Sequence, residues 1–293
     1  MKRLIYILLV LSIIFALVGC NAAPKAEAPG FNDDDNYPSD FPQDNASILG
    51  CFEFEWNEEY GGYFVYENDD NRYIDLVIPS EYKGKPVVGI GKYAFNSYAK
   101  VRTVIIPKSI QVIDSFAFSY CDYLQYIEFE NGSTLRMIND YAFNNCKILS
   151  RIDVPAGVER IGYRAFSTCP MLSKINVDNQ SVYYCTINDC VYSKDMTTLV
   201  VVVPTYSEKE FIVPEGVVDI MEGAFRDCDN IESIVIPSTV KALGDNLIGA
   251  FLKEINFAGT IEEWGTIEKG AKWDEKAKDY IVVCTNGTIE KGE

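Results

Sequence analysis

Apolar residues recur along this chain in one order: Pro-x-x-Val-x-x-Ile-Gly-x-x-Ala-Phe-x-x-Cys-x-x-Leu-x-x-Ile-x-(Ile/Phe/Val). One copy runs from Pro107 through Ile110, Ile113, Phe118, Cys121, Leu124 and Ile127 to Phe129. A second runs from Pro155 through Val158, Ile161, Phe166, Cys169, Leu172 and Ile175 to Val177. A third runs from Pro214 through Val217, Ile220, Phe225, Cys228, Ile231 and Ile234 to Ile236. The Phe of each Ala-Phe pair falls at 95, 118, 143, 166 and 225, with gaps of 23, 25, 23 and 59 residues, and Ile248 takes its place in a degraded sixth copy. A fixed period of this length belongs to solenoids, in which one coil cannot bury its own apolar face and must stack on the next. The closing Leu-x-x-Ile-x-Phe alternates apolar and polar, the period of a half-buried strand, and Pro ends it by withholding a ladder hydrogen bond. Ala lets backbones approach while Phe fills the interior. The pattern predicts a mainly β repeat solenoid with a parallel sheet on its concave face and the Phe residues in a column.

A second column holds Cys121, Cys146, Cys169 and Cys228, with Tyr98 and Phe251 in the outer copies. The spacing is the repeat itself, not the close pairs that metal ligation favours, and parallel side chains leave the first three thiols without a natural pairing. They read as buried thiols acting as small hydrophobes. Cys185 and Cys190 sit apart, in an insertion of about residues 178–213, at a spacing that allows a disulfide between them. Cys51 and Cys284, at opposite ends, should not meet. Apolar β-branched runs split by Asn188-Asp189 and Lys194-Asp195 predict one or two hairpins in the insertion, as a ligand loop or as an elaborated repeat.

At the start of the chain, Lys2 and Arg3 precede an apolar run from Leu4 to Leu17, which reads as an export signal over residues 1–19. It closes on Leu17-Val18-Gly19-Cys20, which looks like a bacterial lipobox. Cleavage before Cys20 leaves a thiol to carry diacylglycerol, and two or more acyl chains, at about 0.8 kcal/mol per buried methylene, anchor a protein stably. Residues 20–47 then form the lipidated Cys and an acidic tether, with Pro24, Pro29, Pro38, Pro42 and the run Asp33-Asp34-Asp35. That triplet lacks the Gly and closing Glu of an EF-hand loop. Residues 48–77, rich in aromatics such as Phe52, Phe54, Trp56 and Phe64, read as an N-terminal β cap. The solenoid follows over 78–257 and a C-terminal cap over 258–293. The formal net charge of −17 repels nucleic acid, so no such partner is expected.

These residues resemble the BspA-type leucine-rich-repeat proteins of bacterial surfaces. Val77-Ile78-Pro79, Tyr82 through Gly91 and Tyr93-Ala94-Phe95 look like that family's opening phrase, and the Ile-Gly-x-x-Ala-Phe-x-x-Cys copies continue it. Cys190-Val191-Tyr192-Ser193-Lys194-Asp195 is similar to its recurring inter-repeat hairpin. Ala258 through Trp264 and Val283-Cys284-Thr285-Asn286-Gly287 resemble its closing module. Two copies depart from the pattern: the one before Phe143 opens on Glu130-Asn131-Gly132-Ser133 in place of Pro, and the one at Leu247-Ile248 has lost Ala-Phe. The resemblance implies leucine-rich-repeat coils and adhesion to host or neighbouring-cell proteins, often matrix glycoproteins, from a lipid-anchored site on the cell surface.

Enzyme chemistry is not expected. The chain has no histidine, which removes Ser-His-Asp and Cys-His arrangements and the commonest metal sites. Nothing singles out a carboxylate pair for glycoside hydrolysis among the 43 acidic residues. No cofactor and no metal are implied. A ligand would meet the residues beside each buried Ile of the strand segment, which point outward onto the inner curve of the solenoid: Thr103, Tyr126, Arg151, Lys174, Ser233 and Glu254 in one column, and Ile105, Glu128, Asp153, Asn176, Val235 and Asn256 in the other. The middle coils offer Tyr126, Glu128, Arg151, Asp153, Lys174 and Asn176 as the candidate site, with Arg151 and Lys174 as a basic pair and Tyr and Arg as hot-spot types. The competing expectation is a glycan-capture or envelope-structural protein, with Tyr183, Tyr184, Tyr192 and Tyr206 of the insertion as stacking platforms.

Overall fold

The computed structural model describes residues 50–68 and 73–291. The export signal, Cys20 and the acidic segment to residue 47 lie outside the described residues. The described part packs as one compact unit. No helix in it is long and apolar enough to cross a membrane.

Each coil has three sides. A two-residue strand ends on the Ile that precedes Ala-Phe, as in Val112–Ile113, Met137–Ile138 and Arg160–Ile161. The tight Ala-Phe turn follows. A four-residue strand then closes the coil, as in Thr103–Ile106, Tyr126–Phe129, Arg151–Val154 and Lys174–Val177. Where strands of successive coils pair they run parallel, and equivalent residues face one another: Ile113 opposite Ile138, Thr103 opposite Tyr126, Arg151 opposite Lys174. The fold is a mainly β solenoid.

The repeated residue types have direct physical causes. The Phe95, Phe118, Phe143 and Phe166 rings stack almost parallel, with centroids 5.2, 5.5 and 5.8 Å apart. Ala is small because the backbones touch there: Phe118 N–H donates to Ala142 C=O at 2.8 Å, and Phe143 N–H to Ala165 C=O at 2.8 Å. The thiols do more than fill space. Cys121, Cys146 and Cys169 each donate to the carbonyl of the preceding coil's Phe at 3.2, 3.2 and 3.1 Å. Burial raises the Cys121 and Cys146 thiols far above the ordinary range, which leaves them unreactive.

The first stack begins with an antiparallel hairpin, Phe52–Asn57 with Gly62–Glu67, whose second strand pairs in parallel with Lys85–Ile90. The Phe64 and Tyr66 rings lie against Gly89 and Gly91, where a Cβ would come within 2.4 and 2.1 Å of ring atoms. Only glycine leaves room for those rings.

The insertion is neither a loose loop nor a plain repeat. Tyr184–Ile187, Cys190–Ser193 and Thr198–Val201 form an antiparallel meander, and the last strand pairs in parallel with Asp219–Ile220. Val191 and Val200 pack into the first core, whereas Tyr192 and Leu199 pack into the second. It is a wall between two cores. Cys185 and Cys190 do not pair: Cys185 stands opposite Tyr192 and Cys190 opposite Ile187, and Cys190 Sγ donates to Asn188 C=O at 3.4 Å. The second stack continues through Glu210–Ile212, Ser233–Ile236 and Glu254–Phe257. It ends in the short helix Ile261–Thr266, with a Thr260/Glu263 capping box, and the hairpin Ile281–Cys284 with Gly287–Glu290.

Candidate recognition face

The outward residues of the four-residue strands line up because strand parity sends alternate side chains to opposite faces and the parallel register stacks equivalent positions. Ile127, Ile152 and Ile175 point into the core, while Tyr126, Arg151, Lys174, Glu128, Asp153 and Asn176 point out. The face has one interruption. The sheet carrying Tyr126–Phe129 ends there, and a separate pair, Arg151–Val154 with Lys174–Val177, follows. The repeat between them is two residues longer than its neighbours and carries Glu130-Asn131-Gly132-Ser133 where Pro is usual. The break is confined to this side, since Val112–Ile113, Met137–Ile138 and Arg160–Ile161 of the same coils stay paired in register.

Charge on this face differs from the expected basic pair. The Arg151 guanidinium is already bound within its own strand, with Nε 2.9 Å and Nη2 2.7 Å from the Asp153 carboxylate. Asn176 Nδ2 donates to the same carboxylate at 2.6 Å. The strand spacing of Arg151 and Asp153 was the visible signal, since residues two apart share a face. Lys174 has no ion-pair partner among the described residues, which leaves it the available cation of the pair. Burial first, and then the negative charges of Glu128 and Asp153, raise the Tyr126 hydroxyl above its ordinary value, so it stays protonated as a donor.

The tyrosines of the insertion are mostly engaged internally. Tyr184 Oη accepts from Ile161 N–H at 3.2 Å and donates to Glu159 C=O at 3.2 Å. Tyr192 is buried, and Tyr206 packs on Phe211 at 5.1 Å between centroids. Tyr183 alone of the four is well exposed, at 41 %. A row of stacking platforms does not exist there. Among the described residues, no group of three acidic or Cys side chains is placed to hold a metal ion.

Stacked parallel strands presenting polar and aromatic side chains in columns define a leucine-rich-repeat solenoid. The BspA type leucine-rich-repeat region matches in six copies over residues 86–202 and 204–267, and the chain belongs to that family. No curated protein matches the chain. Three crystal structures are among those similar to this chain. The pneumococcal vaccine antigen PcpA is 17% identical with a TM-score of 0.51, over 78% of this chain and 71% of that one. A T. pallidum leucine-rich-repeat protein, TpLRR, is 26% identical with a TM-score of 0.43, over 71% of this chain and 84% of that one. A leucine-rich-repeat protein from Eubacterium ventriosum is 19% identical with a TM-score of 0.48, over 72% and 71%. The likeness to PcpA is one of fold.

Proposed function

We propose that this chain is a lipid-anchored protein of the bacterial surface that binds an extracellular protein through the outward residues of its four-residue strands. The observation that carries this reading is the strand register, which stacks Arg151 on Lys174 and Asp153 on Asn176 on a rigid backbone. Ligand-facing groups held this way lose little entropy on binding. The lipobox-like Leu17-Val18-Gly19-Cys20 supports attachment through Cys20, and the acidic segment after it supplies reach.

Residues 48–293, immobilised and screened against arrayed extracellular matrix proteins and glycans at physiological salt, test the binding half. A saturable protein ligand that weakens on Lys174→Glu supports the reading. Glycan-only binding, or protein binding indifferent to Lys174→Glu, defeats it. Arg151→Glu is the poorer probe, because it sets a carboxylate beside Asp153 and perturbs the face itself. Incorporation of a labelled fatty acid into the full chain, abolished by Cys20→Ser, tests the anchor. Unchanged labelling would remove it.

A further inference from the structure

Five residues after each repeat Phe, between the buried Cys and the buried Leu, the chain turns toward solvent. Three successive coils place Tyr123, Ile148 and Met171 there, exposed by 59 %, 38 % and 57 %. The same position holds Lys100 in the preceding coil and Asn230 in the coil after the insertion, both exposed. The fold therefore accepts a polar residue at this point, and the apolar ones serve no packing need of the repeat. Coil alignment is maintained beside them. Lys147 Nζ meets Asp122 Oδ2 at 2.7 Å, joining the residues just before Ile148 and Tyr123. Tyr120, 52 % exposed, adds a second ring in the coil of Tyr123.

We propose that Tyr123, Ile148 and Met171 form a docking ridge for one acidic, amphipathic helix of a partner protein. The proposal rests on the recognition reading above and assigns its apolar anchor. Stacked coils rise by roughly 4.8 Å each, so the three side chains span about 10 Å. Helix positions i, i+4 and i+7 span about 10.5 Å and lie about one turn apart, which matches. Three same-face residues of a strand span roughly 13–14 Å, which does not. A sugar ring needs an aromatic face, and Ile148 and Met171 offer none. Met instead adapts to irregular apolar surfaces.

Charge selects the sign of the partner. Lys100, Arg102 and Lys174 border the ridge, and none forms an ion pair among the described residues. The nearby pairs Lys147 with Asp122 and Arg151 with Asp153 cancel. Glu128 and Asp75, the latter accepting from Thr103 Oγ1, are the acids of the adjoining strand face outside any ion pair among the described residues, fewer than the three cations. At physiological salt the Debye length is about 8 Å, so the local cations rather than the net charge of −17 set the sign preferred at the ridge, and they favour carboxylates flanking the helix's apolar stripe.

A display library of short helical peptides, randomised on one face and panned against residues 48–293, provides the test. The expected result is enrichment of helices with apolar residues at i, i+4 and i+7 flanked by Asp or Glu. Their affinity should fall about tenfold or more for Tyr123→Ser combined with Ile148→Ser and Met171→Ser. That variant should keep its melting temperature, since Lys100 and Asn230 occupy the same position. Enriched helices with basic flanks, helices that bind the triple variant undiminished, or no enriched helix would each overturn the ridge. If an arrayed protein ligand is lost on Lys174→Glu but survives the triple variant, the ridge fails and the strand-face reading stands. If no protein binds in either format, both fail.

Discussion

The two stacks on either side of the insertion open the same way and are filled differently. The first starts from the hairpin Phe52–Asn57 with Gly62–Glu67, and the second from the meander ending in Thr198–Val201; each feeds a parallel ladder of two-residue strands. Beyond that the first stack is the more regular. It holds four Phe rings in a column of near-parallel planes, whereas Phe225 meets Phe211 edge-on at 4.9 Å and is followed by Ile248. Its three repeat thiols reach a carbonyl at 3.1–3.2 Å, whereas Cys228 approaches Val202 and Val203 carbonyls at 3.7 Å.

Two residues before each Phe the backbone is left-handed, and here the contrast is clearest. The second stack uses Gly223 (φ 72) and Asn246 (φ 48), residues that adopt this conformation readily. The first uses Tyr93 (φ 61), Phe116 (φ 60) and Tyr141 (φ 59), for which it is unfavourable. Ring stacking at 4.9 and 4.7 Å, closed by the Arg164 guanidinium 5.1 Å over Tyr141, offsets that cost. Uninterrupted repetition makes this compensation available. A column exists only where several neighbours agree, and the insertion ends the agreement after Arg164.

The largest expected effect tests the columns directly. Phe143→Ala, with a stacked ring on each side, should cost about 3–5 kcal/mol in denaturant unfolding, and Phe225→Ala should fall at or below the lower end of that range. A larger loss at Phe225 would break the contrast between the stacks. The seam comes next. There the ladder is replaced by side-chain hydroxyls: Tyr184 Oη serves Ile161 and Glu159, while Thr186 Oγ1 accepts from Val177 N–H at 3.0 Å and donates to Ile175 C=O at 2.9 Å. Tyr184→Phe and Thr186→Val should each cost about 1 kcal/mol and speed amide exchange at Ile161 and Val177, respectively. Unchanged exchange at both amides would show that the seam is held by packing alone.

The smallest effect is electrostatic and belongs to the second stack. Hydrogen bonds from Lys209 and Lys253, at 2.8 and 2.6 Å, hold Glu232 down to about 2 from an ordinary 4.5. A depressed carboxyl stabilises the fold above its unfolded value, and that contribution disappears as pH falls from about 4.5 toward 2. Glu232→Gln should flatten the acid limb of the stability profile in that window, and added salt should shrink the difference because the groups are exposed. An acid limb identical in the two proteins would show the pair to be inert.

Much of this molecule was written in the repeat. Because each coil touches only its neighbours, the period alone determined the stacked coils, the Phe column, the buried Cys121, Cys146 and Cys169 and the outward columns of the candidate face. Even the preference for Ala beside Phe follows from backbone approach. What does not repeat was decided by tertiary structure. The insertion became a wall between two cores because Val191 and Tyr192 face opposite ways. Its hydroxyls capped two sheet edges, Cys185 and Cys190 were placed opposite other residues, and Arg151 took Asp153 as its partner. Composition and spacing allow several solutions for each of these groups. The choice among them depends on distances and directions between segments far apart in sequence, which exist only once the coils have stacked.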